Sequence, residues 1–141
     1  MESLPRYVRG KRASVIGKQA HPWYWVAARE CARMVSKAYA TPEAVNKDLF
    51  IQGPEAYTML EALKKYCAIV HPDTTVSSLP LWVAAMIARL ARQKELQNAL
   101  PFFRYTEKVR EEGNSKETNA LLGAPTTTLG QWCKLQVGKE Q

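Results

Sequence analysis

The spacing of apolar residues changes several times along the chain, and these changes predict alternating helices and strands. Over residues 27–39, apolar residues recur every three or four positions, which is the spacing of one helix face. That stripe comprises Ala28, Cys31, Ala32, Val35 and Tyr39. Basic residues occupy another face of the same helix, and we expect that face to be solvated.

Short apolar runs predict strands on either side of this helix. Residues 13–16 are β-prone and are closed by Gly17. Residues 48–52 hold three consecutive apolar side chains, as in a strand that is buried on both faces of a parallel sheet, and Gly53 follows them. Residues 74–77 form a third candidate strand.

Two capping boxes mark helix starts, because each places a threonine three positions before a Glu or Gln. The first, at Thr58 and Glu61, opens one long helix, and the second, at Thr128 and Gln131, opens a last helix that is expected to bury Leu135.

The stretch between these two helices is also mostly helical in its pattern. Residues 81–91 are apolar almost all round, so this helix is expected to be buried on more than one side. A further helix is expected to begin near Asn98, and Gly123 is expected to end a short one at residues 115–122. The sequence therefore predicts one α/β domain over residues 1–141, mostly helical with two or three short strands.

Positive charge is concentrated at the start of the chain. The net charge is +7, and residues 1–40 hold eight basic against two acidic side chains. Such a segment attracts phosphate groups, nucleic acid or an acidic partner. The candidates for contact with a phosphate-bearing substrate are Arg6, Arg9, Lys11 and Arg12. The alternative is a solvated loop, and nucleic acid is not the expected partner because the chain shows no recognised nucleic-acid-binding motif.

The cysteines and histidines predict no metal site. Cys31, Cys67 and Cys133 are widely spaced, and His21 and His71 complete no zinc-binding pattern. Free cysteines in a chain without a visible secretory signal favour a reducing, cytoplasmic compartment. Because no apolar run approaches the roughly 20 residues of a membrane-spanning helix, we expect no contact with a membrane.

Several segments occur in an order that resembles one enzyme family. They are the YWV and ECA triplets within residues 24–32, LFIQG at 49–53, the Thr-capped helix at 58–66 and GAPTTTLGQW at 123–132. This order is similar to the C-terminal portion of an atypical or extended short-chain dehydrogenase/reductase, of the NmrA-like or NAD-dependent epimerase/dehydratase type. The resemblance implies the C-terminal part of a Rossmann-type, NAD(P)-binding fold whose N-terminal half is absent. Trp25 stands where many members have His or Thr, and Glu30 stands where Asp is common. Because of these differences, the resemblance does not identify the substrate.

The cofactor and acid/base motifs of that family are missing from this chain. Its seven glycines form no GxGxxG or GxxGxxG turn, which the backbone needs to approach a pyrophosphate. The family's catalytic pair is a Tyr with a Lys four residues later, which Tyr7 and Lys11 match, but Gly10 between them argues against a shared helix. We therefore expect no catalytic or cofactor-binding residue here, although the resemblance implies NAD or NADP for the full-length protein.

The resemblance also implies where a substrate would be held. The pocket candidates lie in the opening segment, in the aromatic cluster before the first helix and in the late helical region. They are Met1, Glu2, His21, Trp23, Trp25, Phe102 and Arg104. The alternative for the aromatic residues is packing, either in the core or against a sheet that the chain lacks. The opening residues themselves resemble an internal stretch of the full enzyme, which indicates a shortened product or a fragment.

The function expected from the sequence is the substrate-binding half of an NAD(P)-dependent oxidoreductase or epimerase, inactive by itself. Its partner would be a small-molecule substrate, bound once the chain is joined to an N-terminal half. The alternative is a non-enzymatic module that binds a protein partner or self-associates. An unpaired strand at residues 49–51 and the apolar helix at 81–91 favour self-association.

Overall fold

Helix α2 (Met59–Val70) lies at the centre of the structure, where it contacts both the main sheet and the last helix, α6 (Leu129–Val137). The structure is a computed structural model, and it describes residues 1–137. The other helices are α1 (Ala28–Tyr39), α3 (Leu81–Leu90), α4 (Lys94–Thr106) and α5 (Lys116–Leu122). The strands are β1 (Val8–Arg9), β2 (Arg12–Ile16), β3 (Trp23–Tyr24), β4 (Ala56–Tyr57) and β5 (Thr75–Leu79). Short 3-10 turns cover Leu4–Tyr7 and Pro42–Ala44.

The main sheet has the strand order β1-β2-β5. β1 and β2 form an antiparallel hairpin whose turn includes Gly10, at a φ of +57° that glycine adopts without steric cost. β2 and β5 are parallel, and α1 and α2 lie between them in the chain. Ala13 and Val15 of β2 are buried, whereas Arg12 and Ser14 are exposed. Because side chains alternate along a strand, the sheet turns one face to the core and leaves a polar outer face.

The core is built mainly by α2 and α6. Tyr66 of α2 is fully buried beside Trp132 of α6, with their ring centroids 6.0 Å apart. Burial raises the pKa of the Cys133 thiol to about 11, so this cysteine stays protonated and packs as a small apolar side chain. The expectation that Leu135 is buried is wrong: it is 64% exposed, because Trp132 and Cys133 define the buried face of α6 and Leu135 points elsewhere.

A second sheet, formed by β3 and β4, holds the chain just before α1. Directly after β3, the Trp25 amide donates to the Glu55 carbonyl at 3.1 Å. Gly53 packs against the same turn of backbone, and a Cβ added there would lie 1.7 Å from the Trp25 carbonyl oxygen. The glycine that follows residues 49–52 is therefore required by a close approach of two backbone segments.

Both expected capping boxes form. The Glu61 carboxylate accepts from the Thr58 amide at 2.9 Å, and the Thr58 hydroxyl accepts from the Glu61 amide. The side-chain oxygen of Gln131 accepts from the Thr128 amide, also at 2.9 Å. Gly123 follows α5 with a φ of +84°. The helices at α1, α2, α5 and α6, and the strands at β2 and β5, are thus confirmed.

The strand expected at residues 48–52 does not form. No strand pairs with this segment within the described chain, Phe50 is 44% exposed, and Gln52 is the buried side chain. Three consecutive apolar residues make a strand only where neighbouring strands accept its hydrogen bonds. Residues 1–137 contain five strands rather than two or three, because β1, β3 and β4 have two residues each and leave no periodic signal.

The buried face of α1 differs from the expected apolar stripe. Met34 is its buried residue, and Ala27 just before the helix is buried as well. Val35 and Tyr39, which belong to the expected stripe, are 43% and 92% exposed. Positions 34 and 35 differ by about 100° around a helix. Two apolar stripes lie side by side here, and periodicity alone does not select between them.

The α3–α4 pair is more exposed than its sequence predicts. Ala84 and Ala88 are the buried residues of α3, whereas Trp82 and Leu90 are 70% and 77% exposed. α4 begins at Lys94, four residues before the expected start at Asn98.

Among residues 1–137, no helix combines the length and apolar character that crossing a membrane requires.

Gly53→Ala is expected to lower the free energy of unfolding by about 2–4 kcal/mol, since the new Cβ meets backbone that no rotamer change can move away. Gly130→Ala is the matched control, because the added Cβ meets only the Lys65 side chain at 3.5 Å. It is expected to change stability by less than about 1 kcal/mol, in the stabilising direction. Urea denaturation followed by circular dichroism measures both, and equal effects would contradict the close approach at Gly53.

Candidate functional site

Met1 and Glu2, two of the candidate pocket residues, lie at the start of α1. Met1 is buried, and its amino group donates to the Val26 carbonyl at 3.1 Å. Oε1 of Glu2 accepts from the Ala28 amide at 3.0 Å and from the Trp132 indole at 3.1 Å. Partial burial acts to raise the pKa of Glu2, but its hydrogen bond from Ala28 helps to hold that pKa below the ordinary value. The Glu2 carboxylate therefore works as a cap on the first turn of α1.

The remaining candidates fall into two places. Trp25 packs against the same core as Met1, and its indole donates to the Tyr57 carbonyl at 3.0 Å. Trp23 is half-buried in β3, and His21 is half-buried two residues earlier. By contrast, the candidates on α4 are exposed, and the principal packing partner of that helix is α3. They are Phe102 and Arg104.

The structure thus brings Met1, Glu2 and Trp25 together and leaves Phe102 and Arg104 on a different element. The role of all seven residues as a substrate pocket stays a prediction.

Glu30 joins two segments that the family resemblance combines. Its carboxylate accepts from the Thr126 amide at 2.9 Å and from the Thr126 hydroxyl at 3.2 Å. It also accepts from the Thr127 amide, at 3.3 and 3.2 Å for its two oxygens. Partial burial acts to raise the pKa of Glu30, but these hydrogen bonds hold it below the ordinary value.

A polar cluster of Glu55, Tyr57 and Lys65 was not indicated by the sequence. Glu55 accepts from the first amide of α6, at Leu129, at 2.9 Å, and from the Tyr57 hydroxyl at 3.0 Å. Lys65 donates to the Tyr57 hydroxyl, and this bond is the main reason that its pKa is raised. The cluster fastens α6 to β4 and α2. No group of three or more potential metal ligands occurs among residues 1–137.

The polar outer face of the main sheet is the floor of a groove of about 1130 Å³. Ser14 and Ile16 of β2 line it together with Leu79 of β5, and α4 contributes Phe103. β2 therefore supplies the core with one set of side chains and this groove with the other.

Cations dominate the lining, and we call this concavity the basic groove. Its charged lining residues are Arg6, Arg9, Arg12, Arg92, Lys94 and Glu95. The ion pairs within residues 1–137 join Met1 to Glu2, Lys47 to Glu117 and Lys65 to Glu55, so none of the five groove cations takes part in one. Five cations with one carboxylate in a concave surface attract anions.

The basic groove contains three of the four basic residues that the sequence singled out, since Lys11 is not among its lining residues. The sequence missed Arg92 and Lys94, which lie far along the chain and carry no motif. Arg92 follows α3 at a φ of +51°, and the amide after it, at Gln93, donates to the Ala88 carbonyl at 2.9 Å. This helix-ending geometry is one that glycine usually fills.

Tyr7 and Lys11, the formal match to the family's catalytic pair, do not share a helix. Tyr7 ends the first 3-10 turn, and Lys11 lies in the hairpin turn between β1 and β2. Burial raises the pKa of Tyr7, which opposes its use as a base. The expectation that Gly10 interrupts any helix here is confirmed.

A second concavity, of about 440 Å³, is largely apolar, and we call it the apolar groove. It lies where the end of α1 meets residues 44–51 and the end of α5. Its larger apolar lining residues are Val35, Tyr39, Val45, Leu49, Ile51 and Leu122. The exposed side of α1 and the segment that was expected to be a strand therefore face one shared space.

Glu30→Gln is expected to lower the free energy of unfolding at neutral pH by about 1–2 kcal/mol, because a neutral amide with one acceptor oxygen replaces a charged carboxylate with two at a partly exposed site. The folded pKa of Glu30 is lowered, so its contribution is fully present above the unfolded pKa of about 4.3. It is lost as the pH falls through the folded pKa. The difference between variant and parent should therefore shrink in acid.

Urea denaturation at several pH values measures this, with the exposed Glu112→Gln as the control that removes the same charge elsewhere. An equal loss of stability in both variants, or a difference that does not depend on pH, would contradict a specific role for Glu30.

The coarse class of the chain follows directly from its structure: it is an α/β protein, mostly helical, with a few short strands in two small sheets. Of the segments that carry the family resemblance, residues 49–53 do not form the strand that the resemblance implies, and the segments do not by themselves establish a family. No family model matches the chain, and no curated protein matches it.

Proposed function

We propose that the chain is the substrate-binding part of an NAD(P)-dependent oxidoreductase or epimerase of the atypical or extended short-chain dehydrogenase/reductase type. The proposal is carried by the contact of Glu30 with Thr126 and Thr127. The two family-like motifs that these residues belong to are 96 positions apart in the chain, yet they meet through a shared carboxylate. This contact supports the proposal because it makes both motifs part of one structural unit.

The apolar groove adds support from packing. Val35 and Tyr39 of α1 are exposed, and residues 49–51 lie beside them without a strand partner in the described chain. A nucleotide-binding half that supplied neighbouring strands would cover this surface and pair that segment. In the proposal, such a half holds NAD or NADP and the acid/base residues, and this chain contributes to the walls of the substrate pocket.

The alternative is a non-enzymatic module that self-associates or binds a protein partner. It is favoured by the extent of exposed apolar surface, which includes Trp82 and Leu90 of α3 as well as the apolar groove. Apolar patches that remain on a chain's surface often mark sites of protein association.

Isothermal titration calorimetry with NAD and with NADP tests whether the chain has a cofactor site. We expect no saturable binding outside the basic groove, since the sequence offers no Gly-rich turn at a helix start. Micromolar affinity for either dinucleotide that persists in the variant Arg9→Ala/Arg12→Ala would contradict this. Reading the genomic sequence upstream of the codon for Met1 then separates the two functions. An in-frame Gly-rich motif followed by Tyr-x-x-x-Lys supports the proposal, whereas an in-frame stop codon with a separate promoter contradicts it.

Sedimentation velocity at increasing protein concentration tests the alternative. If a second copy covers the apolar groove, Tyr39→Glu should weaken self-association by about tenfold or more, because a carboxylate would be buried without a partner. Ser36→Glu adds the same charge at an exposed position of α1 outside the lining of that groove and should have little effect. A parent chain that stays monomeric at every concentration would contradict self-association.

A further inference from the structure

We infer that the basic groove is a binding site for a small molecule that carries phosphate groups. The inference needs only the geometry of this groove, so it goes beyond the proposed function and does not depend on it. On the outer face of the main sheet, the hairpin places like charges next to each other.

Arg9 of β1 and Arg12 of β2 are direct cross-strand partners in the hairpin register. Both are exposed, on the face opposite the buried Ala13. Side chains of directly paired residues lie close together on one face of a sheet, and like charges in that position repel. The ion pairs of residues 1–137 include no carboxylate that relieves this repulsion. An anion held between the two guanidinium groups would relieve it.

The cations of the groove come from two separate parts of the fold. Arg6, Arg9 and Arg12 belong to the opening segment and the hairpin, whereas Arg92 and Lys94 belong to the turn between α3 and α4. Charges from two parts of the fold that line one cavity can contact one ligand together. Guanidinium groups suit phosphate because they donate two parallel hydrogen bonds to its oxygens.

The first turn of α4 adds to the same field. Gln93, Lys94, Glu95 and Leu96 line the groove, and no side chain caps this helix start. The amides of an uncapped first turn and the positive end of the helix dipole both favour a nearby anion. This contribution reinforces the five cations that define the site.

The shape of the groove favours a small ligand over a nucleic acid. Its volume of about 1130 Å³ lies slightly above the range of small-molecule sites, which is roughly 300–1000 Å³. Binding of single-stranded nucleic acid uses aromatic side chains on which successive bases stack. The aromatic lining residues are Tyr7 and Phe103, and both are half-buried rather than presented as an open platform.

Calorimetric titration of the full chain with sodium pyrophosphate tests the inference, with inorganic phosphate and adenosine diphosphate as parallel probes. We expect saturable pyrophosphate binding that weakens as salt is added. The double variant Arg9→Ala/Arg12→Ala should bind about tenfold more weakly or worse, since it loses charge-assisted hydrogen bonds. Tighter binding of adenosine diphosphate than of pyrophosphate would indicate a nucleotide, and tighter binding of pyrophosphate would indicate a phosphorylated ligand of another kind.

The control is Arg29→Ala/Arg33→Ala, which removes two exposed charges from α1, outside the lining of the basic groove. It should change pyrophosphate affinity by less than about twofold, because exposed charges outside the lining donate no hydrogen bond to the ligand and are screened by salt. Equal weakening by both double variants would overturn the inference, since it would show attraction by net charge alone. Absence of saturable binding by the parent chain would overturn it as well.

The variant Glu95→Gln is a second control, because a gain in affinity cannot result from unfolding. It removes the one carboxylate among the described lining residues and should tighten pyrophosphate binding by about threefold. No tightening would contradict a ligand in this groove. A 20-nucleotide RNA provides the last comparison. The small-molecule assignment would be overturned if the chain bound this RNA, bound pyrophosphate weakly or not at all, and did not release the RNA when pyrophosphate was added.

Discussion

Three carboxylates fasten the C-terminal segment to the first half of the chain, and the rest of the arrangement depends on them. Glu30 holds the loop before α6, Glu55 holds the first amide of α6, and Glu2 holds the indole of the buried tryptophan on that helix. The amides of Thr126, Thr127 and Leu129 lie in a loop or at a helix start, where no ladder of hydrogen bonds satisfies them. By accepting these donors, the carboxylates fix α6 in position against α2.

The position of α6 decides which surfaces of the molecule are covered. α2 is enclosed by α6 and the inner face of the main sheet, so the buried aromatic pair of Tyr66 and Trp132 forms between the two helices. Within residues 1–137, nothing comparable covers the outer face of the sheet, whose serines and arginines are too polar for a core. The exposed side of α1 is uncovered for a different reason: it is apolar, and its neighbour at residues 49–51 has no strand to pair with in the described part of the chain. One open surface is therefore suited to an anion and the other to a protein.

Local signals predicted the helices and their caps well. A capping box such as Thr58 with Glu61 is satisfied within one helical turn, so four residues contain the whole interaction. The strand expected at residues 48–52 failed for the opposite reason, because a strand exists only through hydrogen bonds to another segment. The choice between Met34 and Val35 as the inward residue of α1 also depended on distant partners. For the same reason, three arginines of the basic groove were singled out from the sequence, while Arg92 and Lys94 were not.

The sequence by itself determined the two capped helix starts at Thr58 and Thr128, the clustering of positive charge near the start of the chain and the lack of a Gly-rich dinucleotide turn. Each of these is set by residues that are close together in the chain. Only the tertiary structure decided that Glu30 meets Thr126 across 96 positions, that Gly53 must lie against the Trp25 carbonyl, and that two basic segments line one groove. These contacts form only when folding brings distant segments of the chain together. The spacing of residues along the chain does not specify which distant segments meet.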